Sequence, residues 1–272
     1  MFASAEEIYE AVKTKGHYGI PRVNSVAEAE QYLKNTLADA LANNQSCKHD
    51  RPWNIVDFSE KLDPKQPWIG FEFETGFDDK EEYKQFINWL WAQQYVAIDR
   101  EGTGKFPVEV AFPPQELDSI EKDGALLVQA VQFIKDKGLT PALNPTTFTR
   151  RDVGIHAGIS TEKYRAVGHD ERYKAVNLLA ALLLELSVVQ KKELYGRSAL
   201  HWGTASYRDT YVELKMFRAI PEVERVLGYV EVVKRCTVLL DMCIDNPTLK
   251  MTSNEVYTFL SGNEVAAKQE VA

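Results

Sequence analysis

Four stretches of the chain set ionisable side chains on the polar side of an apolar alternation. In W-I-G-F-E-F-E-T-G (68–76), Phe71 and Phe73 fall on one side of an extended strand and Glu72 and Glu74 on the other. In P-V-E-V-A-F (107–112), Glu109 stands opposite Val108, Val110 and Phe112. In D-V-G-I-H-A-G-I-S (152–160), Gly154, His156, Gly158 and Ser160 oppose Val153, Ile155, Ala157 and Ile159. In T-Y-V-E-L-K-M-F-R (210–218), Tyr211, Glu213, Lys215 and Phe217 oppose Val212, Leu214 and Met216. Two carboxylates ~6 Å apart repel by about 3 kcal/mol at an effective dielectric of ~20, so several on one floor call for cations above them. Glutamates with one imidazole are hard ligands suited to Mg²⁺ or Mn²⁺, ions that favour phosphate-bearing substrates. The glycines flanking His156 clear the surface for a close-lying ligand.

The intervening sequence is helical. Helices are expected over 5–15 and 25–43, the second opening with a capping box of Ser25 and Glu28, and a polar, proline-bearing connector follows over 48–67. Asp79 and Glu82 cap a helix running to Tyr95, and a short strand over 95–99 carries Asp99. Further amphipathic helices are expected over 117–137 with Gly138 as C-cap, 170–191, 221–241 and 254–260. Because no Gly-rich phosphate loop follows any strand, the fold class is α+β. It consists of a concave antiparallel sheet with helices packed on its apolar face. Residues 1–60 form a helical N-terminal extension and connector, and 61–272 form the main domain.

Composition narrows the function. With 44% hydrophobic residues in 272, the chain can bury a substantial core, and a net charge of -8 (32 Lys+Arg against 40 Asp+Glu) speaks against a nucleic-acid backbone as partner. The start M-F-A-S-A-E-E-I-Y lacks the basic flank and apolar run of a signal peptide, and the longest apolar block, 178–184, is broken by Glu185. A cytoplasmic protein without membrane contact is expected. Cys47, Cys236 and Cys243 lack metal-ligand spacing and read as core thiols.

Five segments in order resemble the motif series of the amidoligases, a group within the glutamine-synthetase-like carboxylate-amine ligase superfamily with members in bacteria and tailed bacteriophages. They are G-F-E-F-E from Gly70, D-x9-E-V-A-F-P-P from Asp99, G-I-H-A-G-I-S from Gly154, R-Y-x-x-x-N-L from Arg172 and V-E-L-K-x-F-R from Val212. The resemblance covers about two-thirds of the chain and leaves 1–60 outside. It implies a curved glutamine-synthetase-like sheet binding ATP and two or three divalent ions. Glu74, Asp99 and Glu109 would hold the substrate-side metal, and Glu72, His156 and Glu213 the nucleotide-side metal. His156, Ser160, Arg172 and Arg197 would contact the nucleotide, while Arg197, Lys215 and Arg218 would neutralise the transferring phosphate. The chain departs from the family at Gly158, where a second histidine is common, and at Lys215, where the usual pattern is E-x-R. Lysine keeps the charge and loses the bidentate fork.

The activity so implied is two-step: a carboxylate takes the γ-phosphoryl group of ATP, and an amine opens the acyl-phosphate to give an amide or isopeptide bond. No Ser-His or Cys-His signature competes with it. The partners are then a small-molecule or peptide carboxylate and an amine, with nucleic acid relevant only as a modified-base substrate and a homo-oligomer left open. Three alternatives use the same residues or fold: a guanidino-type phosphotransferase, a metal-dependent hydrolase, and a non-catalytic phage binding or structural protein.

Overall fold

Alternation with period two shapes the sheet. In β1 (Trp68–Phe77) the odd positions Ile69, Phe71 and Phe73 are buried while Gly70, Glu72 and Glu74 keep partial exposure, because one face meets helices and the other does not. The computed structural model describes residues 4–13, 23–42, 62–93, 97–99, 104–142, 154–196 and 204–262. Within these, β1 joins β2 (Ala97–Asp99), β3 (Phe106–Ala111), β4 (Gln115–Glu116), β5 (Gly154–Ser160), β6 (Ala205–Tyr207) and β7 (Val212–Arg218) in one antiparallel sheet. The strand order is β2-β3-β1-β5-β7-β6, with β4 paired to the start of β1. The mixed helix and antiparallel sheet architecture is the α+β class expected.

The apolar face is covered by helices. α1 (Ala5–Val12) and α2 (Val26–Ala42) precede the sheet. α3 (Lys80–Ala92), α4 (Leu117–Asp123) and α5 (Leu126–Asp136) follow β1 and β4, and α6 (Glu162–Ala166), α7 (His169–Leu184) and α8 (Val188–Tyr195) follow β5. α9 (Val223–Asp245) and α10 (Ser253–Ser261) follow β7. α9 lies against β5 and α7, α3 and α5 against β1, and α8 against β7. One core runs from Phe71, Phe73 and Val110 through Ile155 and Leu214 to Tyr229, Val233 and Leu240 of α9. Cys236 and Cys243 are buried on α9 as free thiols, and burial pushes the Cys243 thiol up to about 12, so both stay protonated. Cys47 lies outside the described residues. α1 and α2 share a small cluster of their own, Ile8, Val12, Val23 and Ala29, while Leu37 of α2 packs on the main core. Among the described residues no single helix is long and apolar enough to cross a membrane.

Three expectations about elements are corrected. The helix over 117–137 is two helices, because Gly124 takes φ 80 and ends α4, a conformation open to glycine. The helix over 170–191 bends by 109° into α7 and α8 at a capping box, where Ser187 Oγ accepts from Gln190 N at 3.3 Å and Gln190 Oε1 from Ser187 N at 2.8 Å. The third correction is a bulge in β7. Ile155 pairs with Phe217 and Ala157 with Leu214, so Lys215 and Met216 together face the single residue His156. The alternation slips by one beyond that point. Phe217, placed by strict alternation on the polar face, is fully buried against Tyr195 and Tyr229, a burial worth about 1.5–3 kcal/mol.

Candidate functional site

Antiparallel register turns the polar face into rows, since directly paired residues point to the same side. In one row Asp99 pairs with Glu109, and Glu109 with Glu74. In the next, Glu72 pairs with His156. In the third, Gly70 pairs with Gly158 and Gly158 with Glu213. The bulge matters here too. Arg218 pairs with Gly154, which shares the face of His156 two residues on, so the slip carries Arg218 onto the polar face at the exposed end of β7.

His156 is the hub. Its Nδ1 lies 3.3 Å from Glu72 Oε2 and its Nε2 3.8 Å from Glu74 Oε1. Burial alone would lower its pKa, but the hydrogen bond to Glu72 and the charges of Glu74 and Glu72 outweigh burial and the nearby Lys215, so it is raised. Glu74 is also oriented by the backbone, its Oε2 accepting from Gly154 N at 2.7 Å. Glu72, His156 and Glu213 each bring one ligand atom to within 4.8 Å of the others, two carboxylates and an imidazole from three adjacent strands. That donor set fits a hard divalent ion, with the remaining positions left to water or phosphate oxygens.

Glu213 is not an uncompensated charge, contrary to the repulsive floor expected. Its side chain is 9% exposed, and its Oε1 lies 2.9 Å from Lys215 Nζ while its Oε2 accepts from Arg208 Nη2. Lys215 therefore sits in the site beside His156 and Glu213. Arg208 and Tyr211 also border the candidate site. Both lie on the turn 208–211 between β6 and β7, and a three-residue strand such as β6 is too short to show a period. Tyr211's ring lies over Gly158, where a Cβ would come within 3.1 and 3.4 Å of Cδ2 and Cε2, and it packs on Trp68 at 5.9 Å between centroids. The space expected to admit a ligand at Gly158 is filled by this ring. The Tyr211 hydroxyl pKa is raised by burial, then by the charges of Glu213 and Glu72.

Ser160 and Arg172 are engaged with the backbone. Ser160 is fully buried, donating to Thr210 O at 2.7 Å and accepting from Arg165 Nη1 at 2.8 Å. Arg172 donates from Nε to Val167 O at 2.9 Å, from Nη2 to Arg165 O at 3.1 Å, and from Nη1 to Asp209 O, and it stacks over Tyr164. Both thus hold the 208–211 turn. Asp99 is placed by its strand opposite Glu109, and Arg197 lies outside the described residues.

No protein-family model matches the chain, and no curated protein matches it. Among solved structures it is similar to one described as a novel glutamine synthase homolog, with 14% identity, a TM-score of 0.42, and coverage of 73% of this chain and 61% of that one. It is also similar to the ligand-free apo form of GmaS, with 12% identity, a TM-score of 0.43, and coverage of 87% and 63%. The chain spans a little over three-fifths of the length of these two structures.

Proposed function

We propose that the protein is an ATP- and divalent-metal-dependent carboxylate-amine ligase that forms an amide or isopeptide bond through an acyl-phosphate. The observation that supports this most is the convergence of Glu72, His156 and Glu213 from three neighbouring strands, beside a second row of Asp99, Glu109 and Glu74. The motif series of the amidoligases predicts the same two groups. Bound at these carboxylates, Mg²⁺ or Mn²⁺ supplies charge neutralisation and orientation for the phosphates. The chain's own residues do the rest. Lys215 and Arg218 put positive charge on the same face, where charge develops on the transferring phosphoryl group. Glu72 and Glu74 hold the His156 ring in place by contacts at both nitrogens.

Thermal unfolding tests the reading, because the site should take the metal-ATP complex rather than ATP alone. Mg²⁺ or Mn²⁺ with ATP should raise Tm beyond the sum of the separate shifts. Additive or null shifts would count against it. Phosphate release that needs both a carboxylate and an amine separates the ligase from a guanidino-type phosphotransferase and from a hydrolase.

A further inference from the structure

The turn that carries Arg208 is held at every carbonyl. Arg208 O accepts from the Tyr164 hydroxyl at 2.7 Å, Asp209 O from Arg172, Thr210 O from Ser160 Oγ at 2.7 Å, and Tyr211 O from Arg208 N at 3.0 Å. Tyr164, Ser160 and one arm of the Arg172 guanidinium converge on one tetrapeptide. The backbone is fixed in this way, while the long Arg208 side chain, hydrogen-bonded to the Tyr211 hydroxyl as well as to Glu213, is 47% exposed against 9% for Glu213. The turn aims a guanidinium at the most buried carboxylate of the cluster.

We propose that Arg208 is a tethered competitor for the cation position at Glu213, so that its guanidinium and a divalent ion exclude each other there. Both Glu213 oxygens are engaged by side-chain cations, Oε1 by Lys215 and Oε2 by Arg208. Each Glu213 oxygen keeps a second lone pair, but an ion ligated by Glu72, His156 and Glu213 would draw on the same carboxylate charge, and a guanidinium left in contact would face a doubly charged neighbour at a few ångströms. Arg208 is the one that leaves. It reaches in from a neighbouring turn and is the more exposed of the two, whereas Lys215 stands two residues from Glu213 on the same strand at 35% exposure. Released, its planar fork stands at the rim of the site, shaped for a phosphate or carboxylate of an incoming substrate. Arg208 is thus a positioning residue in which metal entry and anion capture are coupled. The inference rests on the metal-site reading above.

Binding of Mn²⁺ alone, without nucleotide, measured by titration calorimetry and electron paramagnetic resonance, tests it. Removing the competitor in Arg208→Gln should tighten Mn²⁺ binding by about tenfold or more, the equivalent of one charge-assisted hydrogen bond. Arg208→Lys, which keeps the charge, should stay closer to wild type, and Glu213→Gln should weaken binding. If Arg208→Gln binds no tighter than wild type while Glu213→Gln loses the ion, or if only Lys215→Gln tightens binding, the competitor role is overturned and the metal site stands. If wild type and Arg208→Gln both fail to bind Mn²⁺, both readings fall.

Discussion

Glu213 shows how a single residue's surroundings decide the sign of a mutation. Were it one of several unpaired carboxylates, Glu213→Gln would relieve repulsion in the metal-free protein. Held between Arg208 and Lys215, it should instead destabilise the protein on losing its charge. A fully buried pair broken this way costs ~3–5 kcal/mol, but both stranded cations keep access to water, so about 1–3 kcal/mol is expected. Urea denaturation in EDTA measures it, and a mutant as stable as wild type would dissolve the ion-pair picture. His156 gives a pH dependence in the same buffer. Its folded pKa is raised above 6.5, so it binds its proton more tightly in the folded state. Its contribution is therefore complete below pH 6.5 and is lost as pH rises through the folded pKa. Metal-free wild type should lose more stability over that climb than His156→Gln, as followed by denaturation at a series of pH values.

At the scale of elements, much of the candidate site's placement was legible because period two sends alternate residues of a regular strand to one face. Glu72, Glu109, His156 and Glu213 occupy the polar face as alternation requires, and Glu72 and His156 pair directly. The β7 bulge was not legible, since an extra residue in a strand is set by its hydrogen bonds to the neighbouring strand and leaves no mark in its own composition. Phe217 and Arg218 changed faces for that reason. The 208–211 turn leaves no local mark in the sequence because its strength lies in partners 37 to 50 residues away. The capping box at Ser187 was readable as S-x-x-Q, but the apolar run across it masked the break. Arg172→Lys probes the turn. A lysine replaces at most part of the three-carbonyl fork, so the apoprotein should lose about 1–3 kcal/mol in urea denaturation. An unchanged apoprotein that loses only its ATP-dependent Tm shift would return Arg172 to the nucleotide.

For the whole molecule, the helical pair α1 and α2 stands apart among the described residues. Ile8, Val12, Val23 and Ala29 form a cluster of their own, and among the described residues α2 touches the main body through Leu37 and beside α3. A chain beginning at residue 61 should fold cooperatively and keep the metal-plus-ATP shift. Loss of the Leu37 contact should lower Tm by roughly 2–8 °C, taking 1–2 kcal/mol of lost burial at 2–4 °C per kcal/mol. Calorimetry of the truncated chain checks this, and failure to fold would make α1 and α2 part of the core.

The counter-ions of Glu213 bear on how the fold holds together. Many metal sites are scaffolds that collapse when the ion is withdrawn, because folding and loading are one event. Here the most buried carboxylate of the cluster already has two partners drawn from the chain itself. A carboxylate neutralised in this way asks for no outside cation, so the architecture around it stands on the chain's own charges.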